Sequence, residues 1–277
     1  LRDIAVELAK VDVNRALQVA RSIDDTDERA LALRDIAVEL AKVDVNRALQ
    51  VARSIDDAIW RARALSNIAV ELAKVDMDRA LNIFNEALQI ARSIDDADKR
   101  VWTLSNIAVE LAKVDVDRAL NIFNEALQIA RSIDDADKRV WTLSNIASKL
   151  AKIDVNRALQ VARSIDKANW RAWVLSDGAV ELAKVDVDRA LNIFNEALQV
   201  ARSIDGAYLR ACALSNIAGE LAKIDVNRAM NVFNEALQTA RCIDDAFFRA
   251  STLSDIASNL AKIDVNRALQ VARSIDD

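Results

Sequence analysis

The stretch RALNIFNEALQIARSID, residues Arg79–Asp95, decides the fold. Its core NIFNEAL, Asn82–Leu88, returns at Asn121–Leu127 and Asn192–Leu198, and as NVFNEAL at Asn231–Leu237. In four other places the same surroundings run straight through as RALQVARSID. Seven residues make close to two helical turns, about 10 Å, with a rotational drift of only about 20°. An insert of this length extends a helix without turning its buried stripe away. Six or eight residues would swing the stripe by about a quarter-turn or more. The stretch therefore reads as one helix of a repeating unit that exists in a long and a short form.

The string SID or CID closes each unit. Its Ile falls at Ile23, Ile55, Ile94, Ile133, Ile165, Ile204, Ile243 and Ile275, at spacings of 32, 39, 39, 32, 39, 39 and 32. A fixed period in this range is the signature of a stacked repeat array. Leu1–Asp25 is identical to Leu33–Asp57, and the order short, long, long gives a larger period of 110 residues. The expected architecture is an all-α solenoid of about eight antiparallel helix-turn-helix repeats of 32 or 39 residues. It is a single array over 1–277, with units near 1–24 (partial), 25–56, 57–95, 96–134, 135–166, 167–205, 206–244 and 245–277.

Each unit reads as two helices. In Ala58–Lys74, Leu65, Ile68, Ala69, Leu72 and Ala73 recur at helical spacing. In Met77–Ser93 the stripe is Ala80, Leu81, Phe84, Ala87, Leu88 and Ala91. The short second helix spans Val45–Ser54. Good helix formers dominate and no Pro interrupts. Asp76, and Asp95 or Asp96, sit where N-caps belong, because a carboxylate accepts the free amide hydrogens of a first turn. Lys74 and Arg92 near the C-termini suit the helix dipole. Connections of two or three residues make neighbouring helices antiparallel.

Composition narrows the function classes. The 277 residues are 52% hydrophobic, with net charge −5 and pI near 5.1. That is enough for a large core, but not the basic footprint of a nucleic-acid binder. No apolar run is long enough to span a membrane, and no signal-peptide pattern opens the chain. Leu1 reads as an internal point of a longer protein. The sequence leaves the compartment open, with a soluble, cytoplasmic protein as the expectation. There is no His, no Pro and only three Gly. The commonest general base and metal ligand is therefore missing. No phosphate loop, nucleophile elbow, HExxH or CxxC occurs. No catalytic residue, cofactor or metal is expected, and the Asp pairs such as Asp95/Asp96 read as caps rather than calcium ligands. Cys212 and Cys242 define neither a disulfide framework nor a zinc site, although antiparallel packing could bring them near each other.

The spacing A-x3-F-x2-A recurs at Ala80, Phe84 and Ala87, Ala119, Phe123 and Ala126, Ala190, Phe194 and Ala197, and Ala229, Phe233 and Ala236. It resembles the second helix of tetratricopeptide repeats, and LSNIA around Leu104 looks like the family's first helix, with Ser105 where the family prefers Gly. The family period of 34, its closing Pro and its shorter linker are not matched here, and the short units lack the Phe. HEAT-type repeats are the nearest competing label. The resemblance implies a right-handed array with a concave groove lined by first helices.

Aligned on Leu104, the groove positions fall on Lys99, Trp102, Asn106, Val109 and Glu110. The matching sets include Trp60, Arg63 and Asn67, Trp141 and Asn145, Trp170, Trp173 and Asp177, Leu209, Cys212 and Asn216, and Phe248, Ser251 and Asp255. Independently of any family, these positions lie three and four apart, so each set shares one helix face. All five Trp fall among them. Two readings stand side by side: an aromatic docking face for a protein or peptide, and aromatics that fill gaps between first helices. Arg63 with Asn67 partly matches the basic and Asn groove residues that clamp a peptide carboxylate in some tetratricopeptide domains. The ladder Asn67, Asn106, Asn145, Asp177, Asn216 and Asp255 either meets a ligand or hydrogen-bonds between units to fix their register. Reading of RNA in the pentatricopeptide manner is argued against by the acidic balance.

Two functions follow as expectations. One is a non-enzymatic scaffold that binds a protein or peptide along the first helices. The other is a structural protein that assembles end to end. Solenoids need polar terminal caps for solubility, and neither Leu1 nor Val265–Asp277 provides one, so both ends should expose apolar faces.

Overall fold

A computed structural model describes residues 1–275. Asp276 and Asp277, which the sequence reading counts in the last repeat, lie outside the described residues. The chain is all-α, built from consecutive helical hairpins, and it divides into two compact halves, Leu1–Thr142 and Leu143–Asp277. The first half holds α1 (Arg2–Ala9), α2 (Val13–Arg21), α3 (Thr26–Ala41), α4 (Val45–Arg53), α5 (Ala58–Leu72), α6 (Met77–Arg92), α7 (Ala97–Leu111) and α8 (Val116–Arg131). The division falls within α9 (Ala136–Ala151). The second half continues with α10 (Val155–Arg163), α11 (Ala168–Ala183), α12 (Val187–Arg202), α13 (Ala207–Leu221), α14 (Val226–Arg241), α15 (Ala246–Leu260) and α16 (Val265–Arg273).

The seven-residue insert does what the helical period demands. The short second helix α4 has nine residues and the long one α6 has sixteen. The buried positions of α4 are Ala48, Leu49, Val51 and Ala52. In α6 the same face continues through Ala80, Ile83, Phe84, Ala87, Leu88 and Ala91. Phe84, Phe123, Phe194 and Phe233 are all sealed in the core.

The caps sharpen the reading of the Asp pairs. Asp76 accepts from the Arg79 amide and Asp96 from the Lys99 amide. The second Asp of the pair is thus the cap. Asp95 contributes its carbonyl to Arg100 instead, at 3.4 Å. The same Arg donates to the Ile94 carbonyl at 2.7 Å, and Arg29, Arg61, Arg139, Arg171, Arg210 and Arg249 repeat that staple on their own SID turns. The connections are three or four residues long, against the two or three that the sequence suggests. The helix ends tighten: Lys74 bonds back to Glu71 and Val75 to Leu72 in 3-10 fashion before the next cap begins.

Leu1, Lys167 and Gly206 are caps without a side-chain cap bond, and of these Gly206 has a positive φ. It starts α13 at φ 84, in the left-handed region, with no side-chain cap bond. Gly206→Ala is expected to destabilise by about 1 kcal/mol, because an L side chain is strained at that φ although space is open around it. The urea midpoint would report this; an unchanged or higher midpoint would sink the idea.

Within each half, successive first helices pack directly on one another: α1 on α3, α3 on α5, α5 on α7, then α11 on α13 and α13 on α15. Within each half a second helix also meets the first helix that follows it, as α2 meets α3, α4 meets α5, α6 meets α7, α10 meets α11, α12 meets α13 and α14 meets α15. Successive second helices stand farther apart and are joined by long side chains. Small side chains allow the close side: Ala62, Ala64 and Ala69 of α5 have no exposed surface. Ser105 is buried, and its hydroxyl donates to its own helix at the Val101 carbonyl. No helix among the described residues is long and apolar enough to cross a membrane.

Candidate docking face of the first helices

In the first half the aromatic positions form a layered cluster. The Trp60 and Trp102 rings meet edge to face at 6.1 Å. The Arg63 guanidinium sits between them, 5.2 Å from one centroid and 4.9 Å from the other. Arg34 covers Trp60 from the preceding repeat, also at 5.2 Å. A planar guanidinium stacks on indole faces while keeping its edge free for hydrogen bonds. Burial, and then the neighbouring Arg34 charge, push the Arg63 guanidinium below its ordinary range. It remains a cation at neutral pH, because arginine starts so high.

Arg34 is anchored by Asp35 at 2.6 Å, and Asp35 also takes Arg2 at 3.0 Å. Asp35 occupies the same column as Asn67 and Asn106, one repeat earlier. Neither Arg34 nor Asp35 was among the sequence candidates. The repeat alignment could have found Asp35, but not Arg34, which reaches Trp60 from a different helix position.

Lys99 is exposed beside this cluster, and Lys138 lies 3.6 Å from Asp98. Asn67 and Asn106 are half-buried. Asn106 donates to the Trp102 carbonyl of its own helix at 2.7 Å. That bond stays within α7 and does not reach the next repeat. Trp141 is exposed, and Asn145 is half-buried in the second half.

The second half carries aromatics without the guanidinium. Trp170 and Trp173 meet edge to face at 5.7 Å. Tyr208 and Phe248 lie 5.2 Å apart across α13 and α15, and Phe247 continues the row at 76% exposure. Trp173, Tyr208, Leu209 and Phe248 are exposed as well. Asp177 is half-buried and Asn216 exposed. Tyr208 and Phe247 were missed from sequence, since they sit one residue before the aligned groove position.

Cys212 and Cys242 are both free. Burial, and then Asp255, push the Cys212 thiol up, away from the reactive thiolate. Cys242 is exposed, with its Sγ 3.4 Å from the Gln238 carbonyl.

The side formed by the second helices is built differently. Arg53 forks onto Glu86, Arg92 onto Glu125, Arg163 onto Glu196 and Arg202 onto Glu235, each through two bonds of 2.7–2.8 Å between side chains 33 residues apart. All four Glu belong to the NIFNEAL-type inserts. Near the helix N-termini Arg47 bonds Asn14, Arg79 bonds Asn46 and Arg189 bonds Asn156, and Arg267 bonds Asn234 in the middle of α14. This is the polar ladder that fixes the register of neighbouring repeats.

Hydrogen bonds from Arg53, Arg163 and Arg202 hold the Glu86, Glu196 and Glu235 carboxyls below the usual carboxylate range, against an opposing push from burial. A depressed folded pKa contributes stability above the unfolded value, which is lost as pH falls through the folded one. The loss should therefore begin below about pH 4.3. Each half-exposed fork contributes roughly 0.2–1 kcal/mol. Replacing Glu86, Glu196 and Glu235 with Gln should flatten this part of the acid slope in urea midpoints taken from neutral to acid pH. Equal slopes for parent and variant would remove the ladder from the account.

No family model and no curated protein sequence matches this chain. Solved structures with similar chain courses include Ton1535 from Thermococcus onnurineus NA1, at 18% identity over 99% of this chain and 96% of that one, with a TM-score of 0.44. A signal transduction ATPase with numerous domains and a tetratricopeptide repeat sensor, PH0952 from Pyrococcus horikoshii, is similar at 14% identity over 99% of this chain and 46% of that one, with a TM-score of 0.34. A Rap protein complexed with competence and sporulation factor is similar at 14% identity over 98% and 84%, with a TM-score of 0.31. At these scores the likenesses carry no argument about function.

Proposed function

We propose that the chain is a non-enzymatic scaffold that binds a protein or peptide segment through its first helices. The observation that supports this reading is the contrast between its two sides. Second helices spend their charged side chains on one another in Arg–Glu forks. First helices leave Trp173, Tyr208, Leu209, Phe247 and Phe248 exposed in the second half and an Arg63-centred stack in the first. Aromatic residues and arginine are the groups that dominate binding energy at protein surfaces. Gap filling accounts for Trp60 and Trp102 in part, but not for a Phe247 that is three-quarters exposed. At the chain ends Leu1, Ile4, Val265 and Leu269 are exposed. A following or preceding repeat would cover the same side chains, so their exposure does not by itself favour end-to-end assembly.

The test uses the five Trp as built-in reporters, since all lie among the groove positions. Peptides selected from a displayed random library on the purified chain should perturb Trp fluorescence on binding. Trp173→Ala with Phe248→Ala should weaken them by about tenfold or more. Selected peptides that bind the double variant as tightly as the parent, with the fold intact by circular dichroism, would overturn the reading.

A further inference from the structure

A 33-residue step from the arginine that ends a second helix lands on Glu wherever the next second helix is long. Where the next one is short, the same step lands on the Ser of the SID turn. Two such junctions lie wholly within one half: α2 with α4, and α14 with α16. There the step from Arg21 reaches Ser54, and the step from Arg241 reaches Ser274. Both serine hydroxyls donate to their own helix, at the Val51 and Val271 carbonyls. Neither replaces the carboxylate, and among the described residues Arg21 and Arg241 have no ion pair.

Space is open at this position. A cavity of about 390 Å³ is lined by Asn234, Gln238 and Arg241 of α14 and by Arg267, Gln270 and Ser274 of α16. The same six residue types stand at the other junction as Asn14, Gln18 and Arg21 on α2 and Arg47, Gln50 and Ser54 on α4. In both, the second arginine is tied to the Asn, Arg267 to Asn234 and Arg47 to Asn14. Among the described residues that line the cavity the charge is positive, the other polar groups are amides and a hydroxyl, and none is a carboxylate.

We propose that these junctions are receptor sites for a glutamate side chain presented by a helix of a partner protein. The chain supplies the template itself. In four places the same arginine, at the same helix end, holds a helical Glu in a two-bond fork. A guanidinium and a carboxylate match in shape and charge. The occupant is not a second copy of this chain offering its insert, because Glu86, Glu125, Glu196 and Glu235 are already engaged by Arg53, Arg92, Arg163 and Arg202. This site lies on the second helices and does not depend on the docking face proposed above.

The probe is an acetylated, amidated, Ala-rich helical peptide that carries Glu at seven-residue spacing, with its Gln counterpart as control. Both are titrated to millimolar concentration into the full chain, and the Arg side-chain Nε–Hε resonances are followed. The expected result is a saturable shift of the Arg21 and Arg241 signals with the Glu peptide alone. Arg21→Gln with Arg241→Gln should weaken it by about fivefold or more, and Trp173→Ala should leave it unchanged. No shift, an equal shift with the Gln peptide, or a response abolished by Trp173→Ala would overturn the proposal. So would a doubling of mass without peptide that disappears in the double Arg variant, because the occupant would then be another copy.

Discussion

Phe123→Ala is expected to lower the unfolding free energy by about 3–5 kcal/mol. The ring has no exposed surface, and Ala119 and Ala126, the small residues of its A-x3-F-x2-A motif, are equally sealed. Methyl groups cannot reach into the space that the ring vacates, and the helices around it are held in register by the Arg92–Glu125 fork. The site is poorly able to collapse, so a cavity term adds to the lost transfer energy. In a repeat array the damage stays near the affected hairpin and its neighbours. Amide exchange should therefore rise first along α7 and α8. Urea unfolding gives the magnitude, and a loss under about 1.5 kcal/mol would mean that the neighbours repack.

The second large effect concerns the period of the insert. Deleting Asn121–Leu127 joins VDRAL directly to QIAR and recreates a nine-residue second helix of the kind seen in α4. The buried face shifts by only about 20°. This variant should fold cooperatively, with a loss of about 3–5 kcal/mol that comes mainly from the missing Phe123. Deleting only six residues, 122–127, turns the C-terminal half of the helix by about 120° relative to the N-terminal half. Gln128 would then take the inward position of Ile122, and Ala130, buried in the parent, would face outward. That variant should lose the α7–α8 hairpin altogether, seen as a multi-step urea transition and a fall in ellipticity larger than six residues explain. If the two deletions proved equally stable, helical phase would not be what tolerates the insert.

Much of this molecule is legible in its sequence because the information is local and repeated eight times. Helices follow from the spacing of Leu65, Ile68, Ala69 and Leu72. Long and short second helices follow from NIFNEAL and helical geometry. Most caps follow from Asp before a first turn, short of the choice between Asp95 and Asp96, which depends on the backbone turn that places Asp96 at ψ 119; α1, α11 and α13 start instead at Leu1, Lys167 and Gly206. The candidate face was legible as well, since its residues share one helix side by spacing alone.

What tertiary structure decided is how separate repeats meet. Arg63 lying between Trp60 and Trp102, Arg34 reaching over Trp60, and the forks that join residues 33 apart all depend on the offset between neighbouring helices. Side-chain reach across that offset leaves no mark in the period of any one helix. Asn106 donates to the Trp102 carbonyl within its own helix, while bonds between repeats run through arginines, the Asn of the second helices and the Glu of the insert. Sequence determined the shape of each hairpin, because hydrogen bonding and burial within it are short-range. Packing determined which charges are spent between hairpins and which, like Arg21 and Arg241, are left facing solvent.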